Sequence, residues 1–138
     1  YNAQPSSNSV DNEITFGDGS VSALRCNDQS IAALSDGRDK TDVVDLPHGL
    51  DFINQTRPVR FKWDIRDGQP GQGKQGTTNY GFIAQELLEI GNNEEHRLVY
   101  ESNPDKLEAR YSNLIPMMAK AIQELSAEVE ALKAKLAD

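Results

Sequence analysis

The chain has 138 residues, of which 37% are hydrophobic and 26% charged, enough for one modest domain plus an extension. A formal net charge of −8 argues against a nucleic-acid or anionic-membrane surface, because phosphate binding needs clustered Lys and Arg. No apolar stretch approaches the roughly 20 residues that cross a bilayer, and Cys26 has no second cysteine to pair with and no companion ligands at zinc spacing.

Residues 1–12 are rich in Asn, Ser and Gln and read as a loose lead-in, and a start at Tyr1 rather than Met suggests a piece of a longer protein. From Glu13 the texture changes. Ile14 and Phe16 alternate with Thr15, GDGS at Gly17 to Ser20 makes a turn, and VSALRC follows, so a short β-hairpin or meander is expected. Its one apolar face is too small for a core of its own and would be buried by three copies around an axis.

In SIAALSDGRDK, Ser30 to Lys40, a short apolar run stops at Leu34 and a charged turn begins at Ser35. A turn through Asp36 and Gly37 can bring the Ser35 hydroxyl to the Lys40 amine, and a neutral lysine can deprotonate a serine without histidine. The same residues also compose an ordinary solvated turn, and from spacing alone both readings stand.

Leu46, Leu50 and Ile53 fall at helical spacing within Leu46 to Asn54, with Pro47 suited to the first turn and Arg57 and Pro58 beyond the end. Val59, Phe61 and Trp63 then alternate with Arg60, Lys62 and Asp64, which predicts a strand with an inward apolar face. Trp63 there belongs to the core rather than to a stacking site. Residues 66–79 form a glycine-rich loop. Gly68 to Lys74 satisfies GxxxxGK, but Gln75 stands where a magnesium-binding hydroxyl should be and no helix pattern follows, so no nucleotide site is expected.

Tyr80 to Ile83 reads as a buried strand leading into the helix AQELLEI, ended by Gly91. RLVYE at Arg97 to Glu101 and LEARY at Leu107 to Tyr111 read as two short strands around SNPDK. His48 and His96 lie in unrelated elements and read as surface histidines. The tail carries Ile115, Met118, Ile122, Leu125, Val129, Leu132 and Leu136 at spacings alternating between 3 and 4, a heptad seam on a helix beginning near Ser112. Such a stripe seeks partner helices, with Glu128 and Lys133 placed to pair between chains. Ile and Val at one seam position with Leu at the other nominally favour two strands.

Four blocks in order resemble the peptidase S74 family, the self-cleaving intramolecular chaperones of phage tail fibres and endosialidase tailspikes: SDxRxK at Ser35 to Lys40, PVRFKWD at Pro58 to Asp64, YGFIAQEL at Tyr80 to Leu87, and YSNLIPMMAKAIQEL at Tyr111 to Leu125. The resemblance implies an α+β domain of short strands and helices over residues 35–138, ending in a coiled-coil helix over 112–137, and a β fibre-shaft end over 1–34. It implies a homotrimer rather than a dimer, a virion tail-fibre or tailspike precursor made in the host cytoplasm, and no cofactor.

It further implies a self-cleaving serine endopeptidase acting once per chain, with Ser35 and Lys40 as the catalytic dyad and the cut between Leu34 and Ser35. Asp36 and Arg38 would support the site. A free lysine titrates near 10.4, so burial or a nearby cation must lower that value, and Arg38 is the candidate cation. Asp36 or Asp39 would instead hold Arg38 or the turn. The rival reading is a permanent trimerisation cap or receptor-binding fibre tip without enzymatic activity. A further rival, a membrane-bound transcription factor with a similar domain, finds no DNA-binding or membrane segment to support it.

Overall fold

The computed structural model describes residues 14–16, 21, 23–28, 31–66 and 74–137. Among the described residues before Ser35 there is neither helix nor strand, in contrast to the expected hairpin, whose turn at Gly17 to Ser20 lies outside them. Ile14, Phe16 and Ile31 are exposed. A short strand with one apolar face needs further strands or a packing surface to be stable.

The first helix, α1, spans Leu50–Gln55. It begins three residues later than the Pro47 start predicted from sequence, because its first free amide finds a distant partner: Leu50 N–H donates to Glu124 Oε2 at 2.7 Å. Gly49 permits this approach, since a Cβ there would overlap the Glu124 carboxylate. At the other end Thr56 Oγ1 donates to Ile53 O at 2.7 Å, and Pro58 restrains the backbone just beyond.

Strands β1, Val59–Lys62, and β2, Thr78–Gly81, pair antiparallel with Val59 opposite Gly81 and Lys62 opposite Thr78. Val59 and Phe61 are half-buried while Arg60 and Lys62 are exposed, the alternation read from sequence. Trp63 is half-buried just past the strand, edge-on to Phe61 with ring centroids 5.2 Å apart. Tyr80 departs from expectation and is exposed. It lies directly opposite Arg60 and so shares that residue's outward face, while burial resumes only from Gly81 to Ile83. In the connecting loop, Gly68 and Gly73 lie outside the described residues; Lys74 sits over the Trp63 ring at 5.5 Å, and a strand rather than a helix follows it.

Helix α2, Ala84–Ile90, ends at Gly91 as predicted. An unforeseen turn of helix, α3, Asn93–His96, follows. Its Asn93 side chain brackets the next strand, accepting from Val99 N–H at 2.8 Å and donating to Val99 O at 2.9 Å. Strands β3, Val99–Tyr100, and β4, Glu108–Ala109, form the second antiparallel pair. Where LEARY is expected to stay extended to Tyr111, a 3-10 turn at Tyr111–Asn113 instead leads into α4, Leu114–Ala137. Phe82 N–H donates to the Tyr111 hydroxyl at 3.4 Å, in space that a side chain on Gly81 would fill.

The core is small. Phe52, Leu87, Leu98, Val99, Leu114 and Met117 are buried together, with Leu46, Ile53, Phe82 and Leu107 among the partly buried residues around them. Helix α4 contributes Leu114, Met117 and Ala121, and no residue from Leu125 to Ala137 is even half-buried. All seven residues of the predicted heptad seam are exposed, Ile115 at 60%, Ile122 at 68% and Leu136 at 88%. The helix therefore packs on its own domain with one stripe of its first turns and leaves a longer apolar stripe without cover among the described residues. Lys133 pairs with Glu130 of the same helix at 2.8 Å.

With so few buried side chains, one truncation is a large fraction of the total. Leu98 is 1% exposed, and Leu98→Ala should cost about 2–5 kcal/mol against a total of about 5–15 kcal/mol typical of a domain. Urea unfolding of the two proteins measures it. A loss under about 1 kcal/mol would mean that the site collapses freely and that Leu98 is not central.

Candidate functional site

The residues from Ser35 to Lys40 form a self-contained turn. Asp36 has extended backbone, and its carboxylate accepts from Arg38 N–H at 2.9 Å, which caps a 3-10 turn over Gly37–Asp39. Asp39 N–H donates to Asp36 O at 3.1 Å and Lys40 N–H to Gly37 O at 3.3 Å. The turn does not depend on glycine for space, since a Cβ at Gly37 would meet nothing within 4 Å.

The Arg38 guanidinium lies on the same carboxylate, with Nη2 2.6 Å from Asp36 Oδ2 and Nε 3.1 Å from Oδ1. This fork holds the Asp36 carboxyl below the usual carboxylate range, assisted by the Arg38 backbone amide. The resemblance implies Arg38 as the cation beside Lys40. Its charge is instead compensated locally by Asp36, which fits the holding role expected of the aspartate.

Lys40 leaves the turn in extended conformation, and its Nζ donates to Ser35 Oγ at 2.6 Å. The turn thus brings together the hydroxyl and amine that spacing alone leaves open. With a protonated amine this is a hydrogen bond to the serine. With a neutral amine the same contact lets Nζ accept the hydroxyl proton and makes Oγ a nucleophile. Leu34, whose carbonyl precedes Ser35, is fully exposed, and Ser35 through Lys40 are exposed as well.

A second cluster is not legible in the sequence. His48 and His96, which read there as unrelated surface residues, are both half-buried and meet edge to face with ring centroids 4.4 Å apart. His48 Nε2 lies 3.3 Å from Glu95 Oε1. No local spacing announces this contact, because it spans 47 residues and depends on how α1 and α3 are packed. Among the described residues no helix is long and apolar enough to cross a membrane.

Residues 35–96 match the family model for peptidase S74, described as the chaperone of endosialidase. No curated protein and no solved structure matches the chain. The match begins at Ser35, runs through both β1 and β2, and ends at His96, so that turn, first sheet and α1 to α3 all fall within it. Over this segment, just under half of the chain, the protein is similar to the peptidase S74, or endosialidase-chaperone, family.

Proposed function

We propose that residues 35–138 are the intramolecular chaperone of a phage tail fibre or tailspike, which assembles as a homotrimer, templates the folding of the β shaft before it, and then releases itself by a cut between Leu34 and Ser35. The observation that carries this reading is the 2.6 Å contact between Lys40 Nζ and Ser35 Oγ at the first position of the family match.

In the proposed reaction, neutral Lys40 takes the proton from Ser35 Oγ, which attacks the carbonyl carbon of Leu34. The C–N bond breaks, the proton passes to the departing Ser35 nitrogen, and an ester joins Leu34 to the serine oxygen. Water opens that ester and leaves a Leu34 carboxylate and a free Ser35 amine and hydroxyl. The base function needs an amine withdrawn from water, because a solvated lysine titrates near 10.4. Since Lys40 is exposed in the single chain, neighbouring copies are the proposed source of that desolvation, which ties the cut to completed assembly.

The exposed seam from Ile115 to Leu136 supports self-association, and the family resemblance supports three copies. Three interwound shaft chains make mostly non-local contacts that nucleate slowly and expose strand edges. A trimer of helix-tipped domains raises the effective concentration of the three shaft ends and sets their register. After release the shaft is retained by its unfolding barrier. Exposure of the dyad turn favours the rival, a permanent cap without cleavage, and the size of the purified chain separates the two.

Full-length protein is expected to self-process to a fragment beginning at Ser35. Ser35→Ala should abolish the cut, and Lys40→Ala should slow it by about 100-fold to 10,000-fold, the usual contribution of a general base. Lys40→Arg should be nearly as damaging, because arginine stays protonated. Intact mass reads all of these, and an unchanged cut in Ser35→Ala would discard the dyad.

Light scattering should find residues 35–138 trimeric at micromolar concentration. Replacing Ile122 and Leu125 together by Asp should dissociate the assembly, since unpaired carboxylates in a packed seam cost on the order of several kcal/mol each. A monomeric wild type would remove the template role, and a dimer would show that the seam's own preference prevails.

A further inference from the structure

We propose that His48, Glu95 and His96 form a binding site for a divalent transition metal of the zinc class, with two imidazoles and one carboxylate as protein ligands and a fourth position left to water. One potential ligand atom from each of the three residues lies within 4.8 Å of the other two. In a tetrahedral site with metal–ligand bonds of about 2.0–2.1 Å, ligand atoms stand about 3.3 Å apart. The His48 Nε2 to Glu95 Oε1 edge already has that length, 3.3 Å, and the two edges to His96 are no longer than 4.8 Å.

The rings are held in place from below. Phe52, a member of the core, packs against His48 at 5.3 Å and His96 at 4.9 Å between centroids, so both imidazoles stand on a buried aromatic floor. Above His96 the backbone makes room. A Cβ on Gly91 would lie 2.8 Å from His96 Nε2 and 2.9 Å from its Cδ2, so a side chain there would crowd the ring. Glu95 remains 59% exposed at its side chain, which leaves an approach open to an ion from solvent.

The donor set decides the class of ion. Two imidazoles with one carboxylate suit zinc and its neighbours, whereas calcium and magnesium call for six or more ligands dominated by oxygen. A His48–Glu95 hydrogen bond with His96 packed on Phe52 is the competing explanation, and it predicts no saturable metal binding. A bound ion would pin the segment leading from the Ser35–Lys40 turn into α1 onto α3, 47 residues further on. Binding to the folded chain alone would then raise its stability.

The test uses the full chain without a histidine tag. Calorimetric titration with Zn2+ should show one saturable ion per chain and a raised Tm, and Co2+ should give the intense visible absorption of tetrahedral ligation. His48→Gln and Glu95→Gln should each weaken Zn2+ binding by more than the roughly 10-fold to 100-fold typical of an outer-shell change. His96→Ala should do the same, but its loss of packing on Phe52 can disturb the fold, so the two glutamine variants, checked by circular dichroism, are the decisive ones. Absence of saturable binding at micromolar Zn2+, an octahedral Co2+ spectrum, or binding at wild-type strength in either glutamine variant overturns the site.

Discussion

The docking of the first turns of α4 sets the terms for everything else in this domain. Leu114, Met117 and Ala121 face inward, and the next residue of that stripe is Glu124, whose carboxylate receives the Leu50 amide. Spacings of 3, 4 and 3 put these four on one side of the helix. Continued along the same side, the stripe reaches Glu128, Ala131 and Lys135, all of which are exposed. The inward face therefore ends where the domain ends, and about 20 Å of helix projects beyond it, at 1.5 Å per residue over residues 125–137.

Ile115, Met118, Ile122 and Leu125 follow the inward residues by one position each, about 100° around the helix. This second stripe does not stop at Leu125 but continues through Val129 and Leu132 to Leu136. One helix thus carries two apolar stripes, a short one that closes the chain's own core and a long one that is exposed in the single chain. Shortening the inward stripe with Glu124 also gives α1 the acceptor for its first amide, so a single residue ends one contact and begins another.

Much of this was legible because periodicity is local. The alternation of Val59, Phe61 and their neighbours, the Gly91 stop, and the tail repeat all appear in the structure where the pattern placed them. Met117 and Met118 show where pattern runs out: both are apolar, and only tertiary docking decides that the first is buried and the second exposed. Tyr80 failed for a related reason, since its face is fixed by the residue opposite, Arg60, on a strand that its own sequence cannot name. The start of α1 and the meeting of His48 with His96 depend on partners 74 and 48 positions away, at Glu124 and His96 themselves, and no local signal encodes such distances.

The Ser35–Lys40 turn is the opposite case. Its geometry is closed within six residues, as the Asp36 cap, the Arg38 fork and the Lys40 contact are all local, which is why spacing alone could offer the contact as one of two readings. Nothing in the turn is buried. A local turn can therefore bring a hydroxyl to an amine, but it cannot by itself supply the dry surroundings in which that amine acts as a base. On the proposed reading the two deficits of the single chain answer each other: the helix seam lacks cover, the dyad lacks desolvation, and one assembly step provides both. On that reading the chemistry would stay silent in an unassembled chain without any separate inhibitor, because the turn's order and the site's competence would be set at different levels of structure.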